Sequence, residues 1–180
     1  MQPRLNKPMD DPKPFERLRF FNGRLLTAGD FALEQNYFHD KQKLHNRALH
    51  GFGIVSGLRV SVESGKVVVT AGLALDCEGN ELVVDSNETL NAPPVGWQTA
   101  YVNSHFVEQE LKQDATTNEA TIIRETAVLD FSEKNFNYKH RHLRGRWLSC
   151  GNCHPLTIAR LRRSAGGWRV DRRYRPPAVK

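Results

Sequence analysis

The sequence predicts an α+β fold dominated by β-structure: one long helix packed on an antiparallel β-sandwich or open barrel, entered through an extended N-terminal arm. Three observations carry that expectation. Pro3, Pro8, Pro12 and Pro14 break the first residues into an arm without periodicity. One stretch, about 28–49, runs free of Pro and almost free of Gly at helical spacing. Nearly everything after it is short β-branched runs separated by Gly-containing turns.

Taken in order, residues 1–18 form the arm, and its apolar ending at Leu18, Phe20 and Phe21 predicts that its last part is anchored. Thr27 is the expected helix N-cap, with Asp30 three residues on as the other half of a capping box. Phe31, Phe38, Leu44 or His45, and Ala48 then share one face, giving a helix of about 20 residues and about 30 Å. Gly51 and Gly53 end it, since a left-handed cap is easiest without a Cβ. Strands follow at 54–60, 66–70, 73–75 and 82–84, joined by tight turns at 63–65, 72 and 77–80. After Pro93-Pro94 a longer pair is expected at 99–107 and 121–129, around a polar loop at 113–118. A last hairpin spans 156–161 and 168–170. The domain is therefore read as 19–175, with 176–180 a flexible tail.

At 180 residues the chain can bury enough surface to fold without disulfides. Its hydrophobic fraction of 39% and mean hydropathy of −0.57 describe a lean core, with part of the apolar surface left for neighbours to complete. No stretch approaches the roughly 20 apolar residues of a membrane span, and the arm has no apolar signal core. Export is thus not expected, and Cys77, Cys150 and Cys153 read as reduced thiols or metal ligands. Charge is placed unevenly. From Lys139 onward twelve Lys and Arg face the single acid Asp171, a balance of +11 against +6 for the whole chain, so the remainder carries −5. Such a basic tail suits acidic surfaces of other copies of the chain, or nucleic acid.

Little in the sequence points to chemistry. Cys150-Gly151-Asn152-Cys153-His154 matches the short c-type haem pattern, but the only methionines, Met1 and Met9, lie in the arm. Cys150 and Cys153 with His142 could instead hold a structural zinc, His140, His154 and Cys77 being further donors, or the segment is a plain turn into the following strand. His39, His45 and His50 lack the three- or four-residue spacing of ligands on one helix face. Gly51-Phe52-Gly53 follows a helix and precedes a strand, the reverse of nucleotide-binding loops. Asp76 and Glu81 flank a turn and make no acid–base pair.

The run Phe21-Asn22-Gly23-Arg24-Leu25-Leu26-Thr27-Ala28-Gly29-Asp30-Phe31, then Glu34-Gln35, Leu44-His45-Asn46-Arg47 and His50 through Leu58, resembles small baseplate and tail proteins of phage-tail-like contractile injection systems. Gly72 to Asp76 and Gly79 to Val84 continue it, so the resemblance covers 20–84, with a fainter echo from Cys153 to Leu161. Gly23, Leu26 and Phe31 also match the opening of the amino-terminal shoulder domain of a type VI secretion baseplate subunit, where Ala28, Asp30 and Ala32 replace its Pro, His and Gln. The resemblance implies a non-enzymatic β-sandwich attachment module. Its partners would be other baseplate, tail, spike or fibre proteins, its copies several and symmetric, and its location a particle assembled after cytoplasmic synthesis. Contacts would come from the hook and helix, at Phe20, Phe21, Gly23, Leu25, Leu26, Asp30, Phe31, Gln35, Arg47 and His50. The apolar hook equally suits closure of the domain's own core. The competing reading of the whole chain is a metal-stabilised nucleic-acid-binding protein that uses the basic region.

Overall fold

The structure is a computed structural model, and it describes residues 14–117, 119–137 and 154–179. Helix α1 spans Ala28–His45 and passes into a π-helical turn, Asn46–His50, which stops at Gly51. Ten strands follow: β1 Gly53–Gly57, β2 Val60–Glu63, β3 Lys66–Val69, β4 Gly72–Leu75, β5 Glu81–Val84, β6 Glu88–Leu90, β7 Thr99–Gln113, β8 Ala120–Ser132, β9 Leu156–Ser164 and β10 Gly167–Val170. They form three antiparallel sheets, ordered β1-β4-β5, β2-β3-β6 and β10-β9-β7-β8. The expected β-dominated α+β class holds. Among the described residues, no helix is long and apolar enough to cross a membrane.

All three sheets send side chains into one core. Val67 and Val69 come from β3, Ala74 from β4, Leu82 and Val84 from β5, Val102 from β7, and Leu156, Ile158 and Leu161 from β9. In β5 burial alternates, Leu82 and Val84 inside and Val83 exposed, as a strand with one wet face requires. Strand β9 is buried almost continuously from Leu156 to Leu161, as a strand flanked on both sides and covered on both faces should be. Its buried Thr157 is fully satisfied: the hydroxyl donates to Asn103 Oδ1 at 2.9 Å and accepts from the Phe136 amide at 3.1 Å. Asn103 in turn donates to Asp130 and Ser132 at 3.0 and 2.9 Å. A polar knot of this kind fixes the β7–β9 register without leaving a desolvated group.

Three expectations need correction. The single strand at 54–60 is two strands in different sheets. Gly57 and Leu58 both take positive φ, 63° and 51°, and turn the chain from one sheet to the next. A Cβ on Gly57 would lie 2.0 Å from the Ala71 carbonyl oxygen, so the two chain segments touch backbone to backbone there. Strand β7 runs on to Gln113, past its expected end at 107, because its outer part, Glu108 to Gln113, is polar apart from Leu111, which erases the apolar alternation used to find strands; β8 begins at Ala120 and runs on to Ser132. The end of the chain is paired, not a flexible tail, beyond the expected last hairpin. From Leu156 it supplies β9 and β10, and even the last residues pair: Ile54 N donates to Pro177 O at 2.8 Å and Val179 N to Ile54 O at 3.1 Å. Ala178 thus bridges β1 in parallel, where a flexible 176–180 was expected. Strand β6 was missed because three residues ending at Leu90 carry too little pattern.

Leu82 is fully buried where the three sheets meet. Leu82→Ala should cost about 2–5 kcal/mol of unfolding free energy, read by urea denaturation, through lost burial and the cavity left behind.

Candidate docking surface

The hook at 19–30 is built around its polar groups. Asn22 and Gly23 form a tight turn in which the Arg24 amide donates to Phe21 O at 3.2 Å, with Gly23 at φ 85°. The Arg24 guanidinium then ties both ends together: it donates to Arg19 O at 3.0 Å and to Asp30 Oδ1 at 2.6 Å. Asp30 completes the capping box. Its Oδ2 accepts from the Thr27 amide at 2.9 Å and the Thr27 hydroxyl at 2.7 Å, while its own amide donates to Thr27 Oγ1 at 3.3 Å. These Thr27 hydrogen bonds, backbone first, and the Arg24 guanidinium hold the Asp30 carboxyl below its ordinary value.

With Arg24, Thr27 and Asp30 bonded to one another, the hook turns its apolar side chains outward. Phe20 is 59% exposed, Phe21 62% and Leu25 86%; Leu26 is half-buried. Only Leu18, where the arm ends, is buried, and Phe15 meets the Tyr37 ring edge-on at 6.3 Å, so the arm from Pro14 onward lies against the helix.

Helix α1 continues the same inversion. It buries no residue at all, and Phe31 and Phe38 of the expected helical face stand in the open, as do Leu33 and, in the π turn, Leu49. An isolated helix of this length is marginal in water. It is held at its C-terminal end, on the turn between β4 and β5. Gln42 donates to Glu81 at 2.6 Å, the buried Asn46 to Gly79 O at 3.0 Å, and Arg47 to Glu78 O at 2.7 Å. Asp76 shapes that turn by accepting from the Glu78 and Asn80 amides, both at 2.9 Å. Gly79, at φ 84°, lets the helix come so close that an added Cβ would sit 2.3 Å from the Lys43 carbonyl oxygen. Further along, Lys43 lies over the Phe106 ring and His39 reaches Glu125 of β8 at 3.9 Å.

The expected contact residues therefore divide. Phe20, Phe21, Gly23, Leu25, Phe31 and Gln35 lie on one continuous exposed segment, and Asp30 organises it. Arg47 is committed to the body through Glu78, and the exposed His50 sits 5.3 Å from the His45 ring. Phe38 and Leu49 belong to the exposed apolar set but were not among the expected contacts, because helical spacing alone does not say whether a stripe faces the body or solvent. The expected metal ligands Cys150, Cys153 and His142 lie outside the described residues. Among the described residues no cluster of three or more His, Cys, Asp and Glu has the arrangement of a metal site.

No family model and no curated protein matches the sequence. Solved structures do match the fold. The chain superposes on a chain of the TssK–TssF–TssG type VI secretion baseplate subcomplex with a TM-score of 0.54 and 15% identity, covering 92% of itself and 62% of that chain. A second match, in a structure of the type VI baseplate complex, has a TM-score of 0.55, 14% identity and coverage of 92% and 60%. The crystal structure of TssK matches at 0.52 with 11% identity, over 92% of this chain and 42% of TssK. The fold is one shared with type VI secretion baseplate subunits. The chain spans 42% to 62% of the length of the subunits it matches.

Two outcomes test this geometry. Gly79→Ala should loosen the helix from its turn and lower stability by about 1–3 kcal/mol, since both the positive φ and the close approach resist a Cβ; urea denaturation with helix CD at 222 nm reads it. The lowered Asp30 carboxyl supports the cap fully above about pH 4 and loses that support as the pH falls through its folded-state value. An NMR titration of its carboxyl carbon should place the midpoint below about 3.9, and Thr27→Ala with Arg24→Ala should raise it part of the way back, the Thr27 amide still donating to the carboxylate.

Proposed function

We propose that this chain is a structural subunit of the baseplate of a contractile injection machine, and that hook and helix are its grip on a neighbouring baseplate protein. One observation carries the reading: an element whose Arg24, Thr27 and Asp30 groups bond to one another and to the local backbone, and whose Phe and Leu side chains are turned outward. Folding alone does not favour that arrangement. Burying each of these side chains on a partner would gain about 1.5–3 kcal/mol, and the pre-formed turn and cap lower the ordering cost of doing so. The shared fold with type VI baseplate subunits supports the same conclusion.

The work is attachment rather than catalysis. The core of three sheets keeps the helix in place, the helix carries the hook away from the body, and the hook presents aromatic and aliphatic anchors of the kind that dominate interface energy. The neighbour is a wedge, spike or fibre component, and the chain joins the particle after synthesis in the cytoplasm.

Phe21→Ala with Leu25→Ala separates docking from folding. Because both side chains are exposed, unfolding free energy should change by no more than about 0.5 kcal/mol per site. Co-expressed baseplate proteins should be lost from a pull-down of the tagged chain, each anchor being worth about 2 kcal/mol or more in the complex. Retention of those proteins by the folded double variant would refute the hook's role.

A further inference from the structure

Strand β9 pairs with β7 only as far as Ser104, whereas β7 and β8 stay paired out to Gln113 and Ala120. The outer part is a two-stranded finger about 30 Å long. It is one-sided in charge: Glu108, Glu110, Asp114, Glu119 and Glu125 against Lys112 and Arg124. Glu108 lies directly opposite Glu125 in the ladder, a like-charge pair that disfavours the finger on its own. Isoleucines 122 and 123 are exposed between these acids.

On the other side of the same sheet lies a groove of about 500 Å³, between the start of β2, the middle of β9 and the segment after β10. Leu58 and Ile158 form its apolar floor, and Arg59, Arg160, Arg172 and Arg175 stand around it. Its one carboxylate, Asp171, is already taken by Arg160 and Arg162, each at 2.6 Å. Among the described residues no carboxylate pairs with Arg59, Arg172 or Arg175; Arg175 donates to the backbone carbonyls of Arg172 and Tyr174. The groove is cationic and apolar, the finger anionic and aliphatic. They cannot meet within one chain, because the finger extends away from the β9 strand that lines the groove.

We infer that the finger of one copy docks into the arginine-lined groove of the next. Glu108, Glu110 and Glu125, which share one face of the finger with Ile123, meet the guanidiniums that no carboxylate holds in forked hydrogen bonds, and Ile123 covers the apolar floor. Such a contact joins two different surfaces of the same chain. It is therefore heterologous, and repeats around a ring if the rotation closes. Its place in a baseplate rests on the reading above, but the contact itself involves neither hook nor helix face and is tested on the isolated chain.

The test is sedimentation equilibrium of the full chain and of two charge-reversed variants, Glu108→Lys with Glu110→Lys and Arg172→Glu with Arg175→Glu. At about 50 mM salt the wild-type chain should exceed its monomer mass of 20.5 kDa, and it should return to that mass near about 500 mM. Each variant alone should associate about tenfold more weakly or worse, and mixing the two should restore association because each supplies the complement of the other. A wild-type chain monomeric at low salt overturns the inference. So does undiminished association of either folded variant, a mixture that stays monomeric, or association that salt does not weaken, which would point to the apolar hook. Co-purified nucleic acid that the arginine variant alone releases, with the protein otherwise monomeric, would assign the groove to nucleic acid instead.

Discussion

The outward half of this molecule depends on the clamp between the end of α1 and the turn from β4 to β5. With no buried side chain of its own, the helix has no hydrophobic face to hold it against the sheets. What holds it is a set of directional bonds from Gln42, Asn46 and Arg47 to a turn that Asp76 has made rigid. Directional bonds set an angle where a greasy contact would allow sliding. The Gly79 backbone, bare of a Cβ, lets helix and turn approach until the carbonyl of Lys43 fills the space a side chain would take. The direction in which the hook leaves the body follows from that one contact.

Stability and recognition are thereby assigned to different side chains. The core draws on Leu, Val, Ile and Ala of the three sheets, and the polar cluster of Thr157 with Asn103 and Asn137 is bonded within itself. The hook uses charge and hydroxyl to hold its shape and spends its aromatic residues on the outside. An apolar surface of this kind on a monomer marks a place where something else sits. A partner that met it would find a surface already ordered by the Arg24–Asp30 pair and the Thr27 cap.

The basic C-terminal region shows how charge and fold can share residues. In β9 Leu156, Ile158 and Leu161 are buried in the core, while Arg160 and Arg162 converge on Asp171. The Asp171 carboxyl, held low by the Arg173 amide and by these two guanidiniums, stays charged and keeps them in place. The arginines beyond it, at 172, 173 and 175, are exposed. A region that looks like a tail by composition is thus a central strand with a cationic rim.

Much of this was legible in the residues. Thr27 and Asp30 announced the helix start, Gly51 its end, and the runs ending at Val69, Leu75 and Val84 their strands, because capping and alternation are local and need no knowledge of the rest of the chain. The density of Phe and Leu around Gly23 marked a special segment, but not which way it faced. That was decided only in three dimensions. A helical stripe of Phe31 and Phe38 has the same spacing whether it meets a sheet or a partner, and here the sheets are closed by their own valines and leucines, leaving no room for it. The switch of sheets at Gly57-Leu58, the finger of β7 and β8 and the seating of Ala178 beside Ile54 likewise rest on contacts between residues far apart in the chain, which composition and periodicity do not encode.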